Sequence, residues 1–145
     1  MYLLNTNVLL GLIWTSHDFH RAAAKWFIEN RRDGWATCAM TQAGFVRISA
    51  QSAFAAWGGT VPSANASREA ATTSEGHRFL IVDSVQADVQ SICSGGLLGH
   101  RQVTDAWLLA IAVRHQCKLV SFDRGLRQLL ATAGERLQHL VMLET

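Results

Sequence analysis

Five short apolar runs punctuate this chain: Met1–Leu4, Trp35–Cys38, Phe79–Val82, Lys118–Phe122 and Leu140–Leu143. Each is too short for a helix and lacks the strict polar alternation of a sheet with one wet face. Such runs suit strands buried on both faces, which is the situation of a parallel sheet. Parallel neighbours need long crossovers, and the intervening segments supply them. His17–Arg32 carries apolar residues at 19, 22, 23, 26 and 27, a helical spacing, and stops at Asp33-Gly34. Asn5-Thr6-Asn7 offers capping residues to a short helix over Val8–Trp14, and Thr41 to one that runs to about Ser49. Thr104 is expected to cap a strongly apolar helix, Asp105–His115.

The remaining segments are weaker. Residues 50–64 are rich in Ala, Gly and Ser and hold Gly58-Gly59 and the single proline, Pro62, so a loop is expected there. Ser63 can cap a helix over 64–75, and shorter helices are expected at 85–93 and Gly125–Ala131. Gly95-Gly96 and Gly99 interrupt the chain. Strands alternating with helices predict an α/β fold, a three-layer α/β/α arrangement around a central parallel sheet. A length of 145 residues matches one domain, 1–145, and 49% hydrophobic against 17% charged residues argues for a folded core.

A net charge of +2 permits a nucleic-acid partner without demanding one. No window reaches membrane-spanning length, and the first residues lack the basic start of a signal peptide. Cys38, Cys93 and Cys117 are far apart and form no C-x-x-C pair, which fits reduced thiols in a cytoplasm.

The topology places four scattered residues together. Asn5 follows the first strand and Asp123 follows Lys118–Phe122, so both stand at the carboxyl edge of the sheet. Asp105 opens the helix that leads back to that last strand, and Gln42 opens the helix after Trp35–Cys38. Sites in open α/β sheets lie at that edge. Clustered carboxylates repel unless a cation joins them, and oxygen ligands of this type suit Mg²⁺ or Mn²⁺. Each residue also has a plain structural role: Asn5 as a helix cap, Asp105 as a first-turn acid, Asp123 as a turn cap.

Three segments carry a family likeness. Tyr2-Leu3-Leu4-Asn5-Thr6-Asn7-Val8-Leu9-Leu10 resembles the L-L-D-T-N-V-L-L opening of VapC-type PIN domains, with asparagine at position 5 in place of the family's aspartate. Gly99–Ala110, which holds Asp105, resembles their third acidic motif, and Leu119–Leu126, which holds Asp123, resembles their last. Thr41-Gln42-Ala43-Gly44-Phe45-Val46-Arg47 is similar to a subgroup's T-E-N-G-F-x-R motif, with Gln42 for the glutamate. The resemblance implies a PIN fold and the toxin half of a type II toxin–antitoxin pair. It further implies a cytoplasmic homodimer and a Mg²⁺-dependent endoribonuclease that cuts tRNA or ribosomal RNA. Position 5, Asp105 and Asp123 would hold metal, Asn7 and Ser121 would support them, and Gln42 would stand at the fourth acidic position. Arg47, Arg101 and Arg124 are candidate phosphate contacts. Asn5 removes a charge from the metal's surroundings, so impaired cleavage is expected. The competing expectation is a catalytically silent module that binds RNA or a protein partner. The tryptophans are expected to be core or interface anchors.

Overall fold

The computed structural model describes residues 1–53, 59–97 and 99–145. Its strands are β1 (Tyr2–Leu4), β2 (Trp35–Cys38), β3 (His77–Leu80), β4 (Lys118–Ser121) and β5 (Leu140–Met142). The helices are α1 (Thr6–Ile13), α2 (His20–Asn30), α3 (Ala39–Ser49), α4 (Val61–Thr72), α5 (Gln86–Ile92), α6 (Val103–Arg114) and α7 (Ala133–His139). The strands form one sheet in the order β3-β2-β1-β4-β5, and every pairing is parallel. The expected α/β/α architecture is therefore the one observed.

Successive strand residues face opposite layers, and the side chains divide accordingly. Leu4, Trp35 and Val120 join Val8, Leu9, Phe45 and Ala64 on the side of α1 to α4. Leu3, Ala36, Cys38 and Leu119 join Val89, Leu108, Leu109 and Ile111 on the side of α5 and α6. Helix α6 is buried at Ala106 and throughout Leu108–Ala112. An apolar helix of this kind belongs in the interior, and α6 packs against β4 accordingly.

Two glycines fix close approaches. A Cβ on Gly44 would lie 2.7 Å from Thr6 Oγ1 and 3.2 Å from its Cγ2, so α1 and α3 meet only because this side chain is missing. A Cβ on Gly95 would run into the backbone carbonyl of Gln128, and the Gly95 amide donates to the Leu129 carbonyl at 2.9 Å. The loop after α5 is thereby pinned to the segment that follows Asp123.

Several boundaries differ from the sequence reading. Helix α3 begins two residues before Thr41, whose hydroxyl instead accepts from the Cys38 amide at 3.0 Å as the third residue of the helix. Helix α4 begins at Val61 rather than 64: Thr60 is the cap, Pro62 sits in the first turn, and Ser63 closes a capping box. The loop expected over 50–64 thus ends earlier, and Trp57 and Gly58 lie outside the described residues. Strand β3 is shifted toward the N-terminus, to His77–Leu80, leaving Ile81 and Val82 exposed beyond it. Thr104 does not cap α6: a 3-10 turn, His100–Gln102, leads into a helix that begins at Val103. The helix expected over Gly125–Ala131 is a 3-10 run, Arg124–Leu129. Helix α7 is not among the elements expected from the sequence, although the pair Thr132 and Glu135 signals it, the Glu135 carboxylate accepting from the Thr132 amide at 2.9 Å. Trp35 is a core residue, and Trp14, Trp26 and Trp107 pack at core margins, as expected.

The α1–α3 contact yields a first prediction. Gly44→Ala gains about 1 kcal/mol of helix propensity but forces an overpacked contact that costs about 1–3 kcal/mol. Urea melts are expected to show net destabilisation. In a Thr6→Ala background, which removes both crowding atoms, the same change is expected to stabilise.

Candidate active site

Asn5 stands at the cap position of α1 with extended backbone angles, yet its side chain caps nothing. Its carbonyl takes the Val8 and Leu9 amides, while its own amide accommodates β4 by donating to the Val120 carbonyl at 3.0 Å. The side chain turns across the sheet edge: Nδ2 donates to Asp105 Oδ1 at 3.0 Å and to Ser121 Oγ at 3.1 Å. The plain capping role is therefore excluded by geometry. The orientation is forced, since the amide oxygen in that place would face a carboxylate oxygen.

Ser121 is fully buried and gathers the site around one oxygen. Its Oγ receives Asn5 Nδ2, Asn7 Nδ2 at 3.0 Å and the Asp123 amide at 3.0 Å. Its own hydrogen goes to Asn7 Oδ1 at 3.4 Å, which also accepts from the Phe122 amide at 3.3 Å. Three donors compete for two lone pairs, so the hydroxyl has no freedom to turn. Ser121 thus ties Asn5, Asn7 and the Asp123 backbone together.

Asp105 projects from the first turn of α6 into this cluster. Burial pushes its carboxyl above the ordinary range, the Asn5 hydrogen bond works against that rise, and the charge of Asp123 adds to it. Asp123 is exposed, and its Oδ1 accepts from the Gly125 amide at 2.8 Å, so it does cap the turn that follows. Its other oxygen is not committed to that cap. Both acids line an open cavity of about 440 Å³ together with Arg101, Gln102 and Gln128. A Cβ on Gly99 would meet nothing within 4 Å, so that rim of the cavity is open.

Gln42 occupies the carboxyl edge of β2, but its polar atoms are engaged elsewhere. Nε2 donates to Thr37 Oγ1 at 2.8 Å, and Oε1 accepts from Arg68 Nη1 at 3.1 Å. Among the described residues no hydrogen bond links it to Asn5, Asp105 or Asp123. Arg68 and Thr37 were not singled out from the sequence, where nothing distinguishes a lone helix arginine or a strand threonine. Arg101 lies in the turn before α6, Arg124 directly follows Asp123, and Arg47 is on α3; all are exposed. Among the described residues none of these arginines forms an ion pair.

Asp105 and Asp123 offer hard oxygen ligands that fit a divalent cation. Position 5 fits it less well, because an N–H, not an oxygen, points at Asp105. Among the described residues no group of three or more His, Cys, Asp and Glu side chains forms a metal cluster.

Comparison with known proteins gives this edge its context. Residues 2–130 match the PIN domain family. The chain is 42% identical to the ribonuclease VapC38 of Mycobacterium tuberculosis over 127 residues, covering 86% of each chain. It is 39% identical to the ribonuclease VapC39 of the same species, covering 91% of this chain and 94% of that one. Against VapC44 the identity is 38% over 147 residues, covering 97% and 98%. A solved structure of VapBC2 from Rickettsia felis, bound to a DNA fragment from their promoter, superposes with a TM-score of 0.63 at 12% identity, covering 99% of this chain and 98% of that one. The chain belongs to the PIN-domain family, in its VapC branch.

The environment of Asp105 makes a second prediction. Because its folded-state pKa is raised, charging it costs stability. That cost is absent below the unfolded pKa and complete above the folded one, so stability falls as pH rises through the window between them. Asp105→Asn keeps an oxygen for Asn5 and carries no charge. With EDTA present, this variant is expected to melt above the parent at neutral pH. The difference is expected to vanish as pH falls below the ordinary carboxylate range; a constant offset at every pH would mean that the charge is not its source.

Proposed function

We propose that this chain is the toxin of a type II toxin–antitoxin pair, a Mg²⁺- or Mn²⁺-dependent endoribonuclease for tRNA or ribosomal RNA, weakened by asparagine at position 5. It is read as one PIN domain over 1–145, working in the cytoplasm as a homodimer and held in check by a cognate antitoxin. The single observation that carries the reading is that Asp105, in contact with position 5, and Asp123 line one open cavity. The family's aspartate at that place would set two anionic oxygens together, an arrangement that calls for a cation. Asn5 supplies a hydrogen instead, so the pair is satisfied without one.

In this reading Asp105 and Asp123 would hold the ion, and Asn5 would join them as a poorer third ligand only with its amide turned so that Oδ1 replaces Nδ2 toward Asp105. Bound there, a divalent ion would supply an activated water and a charge to offset that on the phosphodiester. The chain's own residues do the rest. Arg101 and Arg124 sit beside the acids and grip the RNA phosphates, with Arg47 as a further contact from α3. Ser121 fixes Asn5 and the Asp123 backbone, and Asn7 fixes Ser121. Cleavage leaves a 5′-phosphate and a 3′-hydroxyl. With aspartate at 5, the Ser121 hydrogen turns from Asn7 to that carboxylate, which keeps the hub intact. The alternative, a catalytically silent module that binds RNA or a protein partner, is favoured by the same Asn5 amide, and one experiment separates the two.

Asn5→Asp is expected to raise Mg²⁺- or Mn²⁺-dependent cleavage of total RNA by at least about tenfold, the effect of about 1.4 kcal/mol at the transition state. Asp105→Ala or Asp123→Ala in that background returns it to the starting level. A folded Asn5→Asp protein that cuts no RNA with either metal would leave the silent module standing. Melts at matched ionic strength supply a readout apart from activity. Metal should stabilise Asn5→Asp by about 2.7 kcal/mol at a hundredfold excess over Kd. The shift should be smaller in the parent and lost in both alanine variants.

A further inference from the structure

Gln42 begins a chain of hydrogen bonds that the acidic site does not account for. Arg68 Nη1, on α4, donates to Gln42 Oε1 at 3.1 Å; Gln42 Nε2 donates to Thr37 Oγ1 at 2.8 Å; and Thr37 Oγ1 meets His77 Nε2 at 2.8 Å. Thr37 is fully buried on β2, so the chain is anchored inside the sheet and ends in a half-buried guanidinium. The part from Arg68 to Thr37 has a set direction, each N–H donating onward to an oxygen, and the Thr37–His77 bond follows the imidazole tautomer. Burial holds the His77 imidazole below its usual range; a bond to the Thr72 backbone opposes this, and the Arg68 charge reinforces it.

Hydroxyl, amide and imidazole partners contribute no carboxylate to this chain, so nothing in it offsets the charge that a guanidinium always carries. Among the described residues the ion pairs both involve Asp83, and no carboxylate reaches Arg68. A guanidinium has five N–H groups, and a single amide oxygen satisfies one of them. Had residue 42 been the glutamate of the T-E-N-G-F-x-R pattern, the arginine would be neutralised in an ion pair. Glutamine holds the same geometry and leaves the charge over.

The sheet order says where that charge stands. Arg124 follows β4, and Arg101 lies beside the same two acids. Gln42 follows β2, on the other side of β1. Two strand spacings separate β2 from β4, roughly 10 Å, so the residue that holds Arg68 stands at the same edge as Asp123, across β1 from it. We propose that Arg68, positioned by Gln42, binds an RNA phosphate on the β2 side of the acidic site. For its ligand this rests on the nuclease reading above. The bland alternative makes the Arg68–Gln42 bond a tether between α3 and α4 and nothing more.

The test is RNA binding, not cleavage. The chain as it stands is titrated, with EDTA present, against a short fluorescein-labelled single-stranded RNA at a series of KCl concentrations. Arg68→Ala is expected to raise Kd about tenfold, the size of one lost charge-assisted hydrogen bond. It is also expected to flatten the dependence of log K on log salt by about 0.7. Arg68→Lys should recover most of the salt slope, because the charge returns. Gln42→Glu, which keeps the shape, should weaken binding although it strengthens the tether and does not lower the melting temperature. The proposal is overturned if Arg68→Ala melts lower but binds RNA with unchanged affinity and slope, while Arg101→Ala reduces both: the acidic edge would then bind RNA without Arg68. If the starting chain binds no RNA at any salt, the nuclease reading falls, and this proposal with it.

Discussion

The parallel pairing of β1 with β4 is the interaction on which the rest of the molecule depends. It sets Leu4 beside Val120 and so brings Asn5 to the end of β4. There the Asn5 amide donates to the Val120 carbonyl, and its side chain crosses to Ser121. Both strands are buried in their last residues, so a slip of one position would turn each side chain to the opposite layer. The register is thus held by the core, and the polar hub inherits its precision. A hydroxyl shared among three N–H donors would be a weak device on a mobile scaffold. At the end of paired, close-packed strands it locks the asparagines and the turn of Asp123 into one unit.

The central strands β1, β2 and β4 were legible because burial on two faces leaves a short apolar run, and the edge strands β3 and β5 because the runs Phe79–Val82 and Leu140–Leu143 are apolar although partly exposed. The carboxyl-edge positions of residues 5, 42, 105 and 123 followed from chain direction alone. Less legible was what each side chain does once there. Asn5 occupies a cap position yet spends its side chain on Asp105, and no local pattern distinguishes a cap used from a cap refused. Gln42 was placed correctly on its edge, but its partners come from β2 and α4, at separations of 5 and 26 residues. The 3-10 run after Asp123 was read as a helix because its apolar residues Leu126, Leu129 and Leu130 mimic helical spacing while packing as a short irregular segment. Helix α7, by contrast, carried a readable signal in Thr132 and Glu135 that its few apolar residues obscured.

Electrostatics explains why Asn5 is so well tolerated by the fold. The buried carboxyl of Asp105 faces a like charge in Asp123, and the asparagine gives it a hydrogen instead of a third anion. In the proposed reading, the residue that would make the site less attractive to a cation also spares the fold a like-charge contact, so stability and metal affinity would be in opposition at position 5.

The contact of Gly95 with the backbone of Gln128 and Leu129 bears on how this chain would look in a genetic screen. Any side chain at 95 pushes on the segment that begins at Asp123, although residue 95 is itself no part of the acidic cluster. Changes at this glycine would therefore disturb the acidic edge from a distance, and a map of disabling changes drawn on the sequence alone would enlarge the apparent site. Gly95 marks the outer boundary of that map: a position whose alleles report on the scaffold beneath an acid rather than on the acid's chemistry.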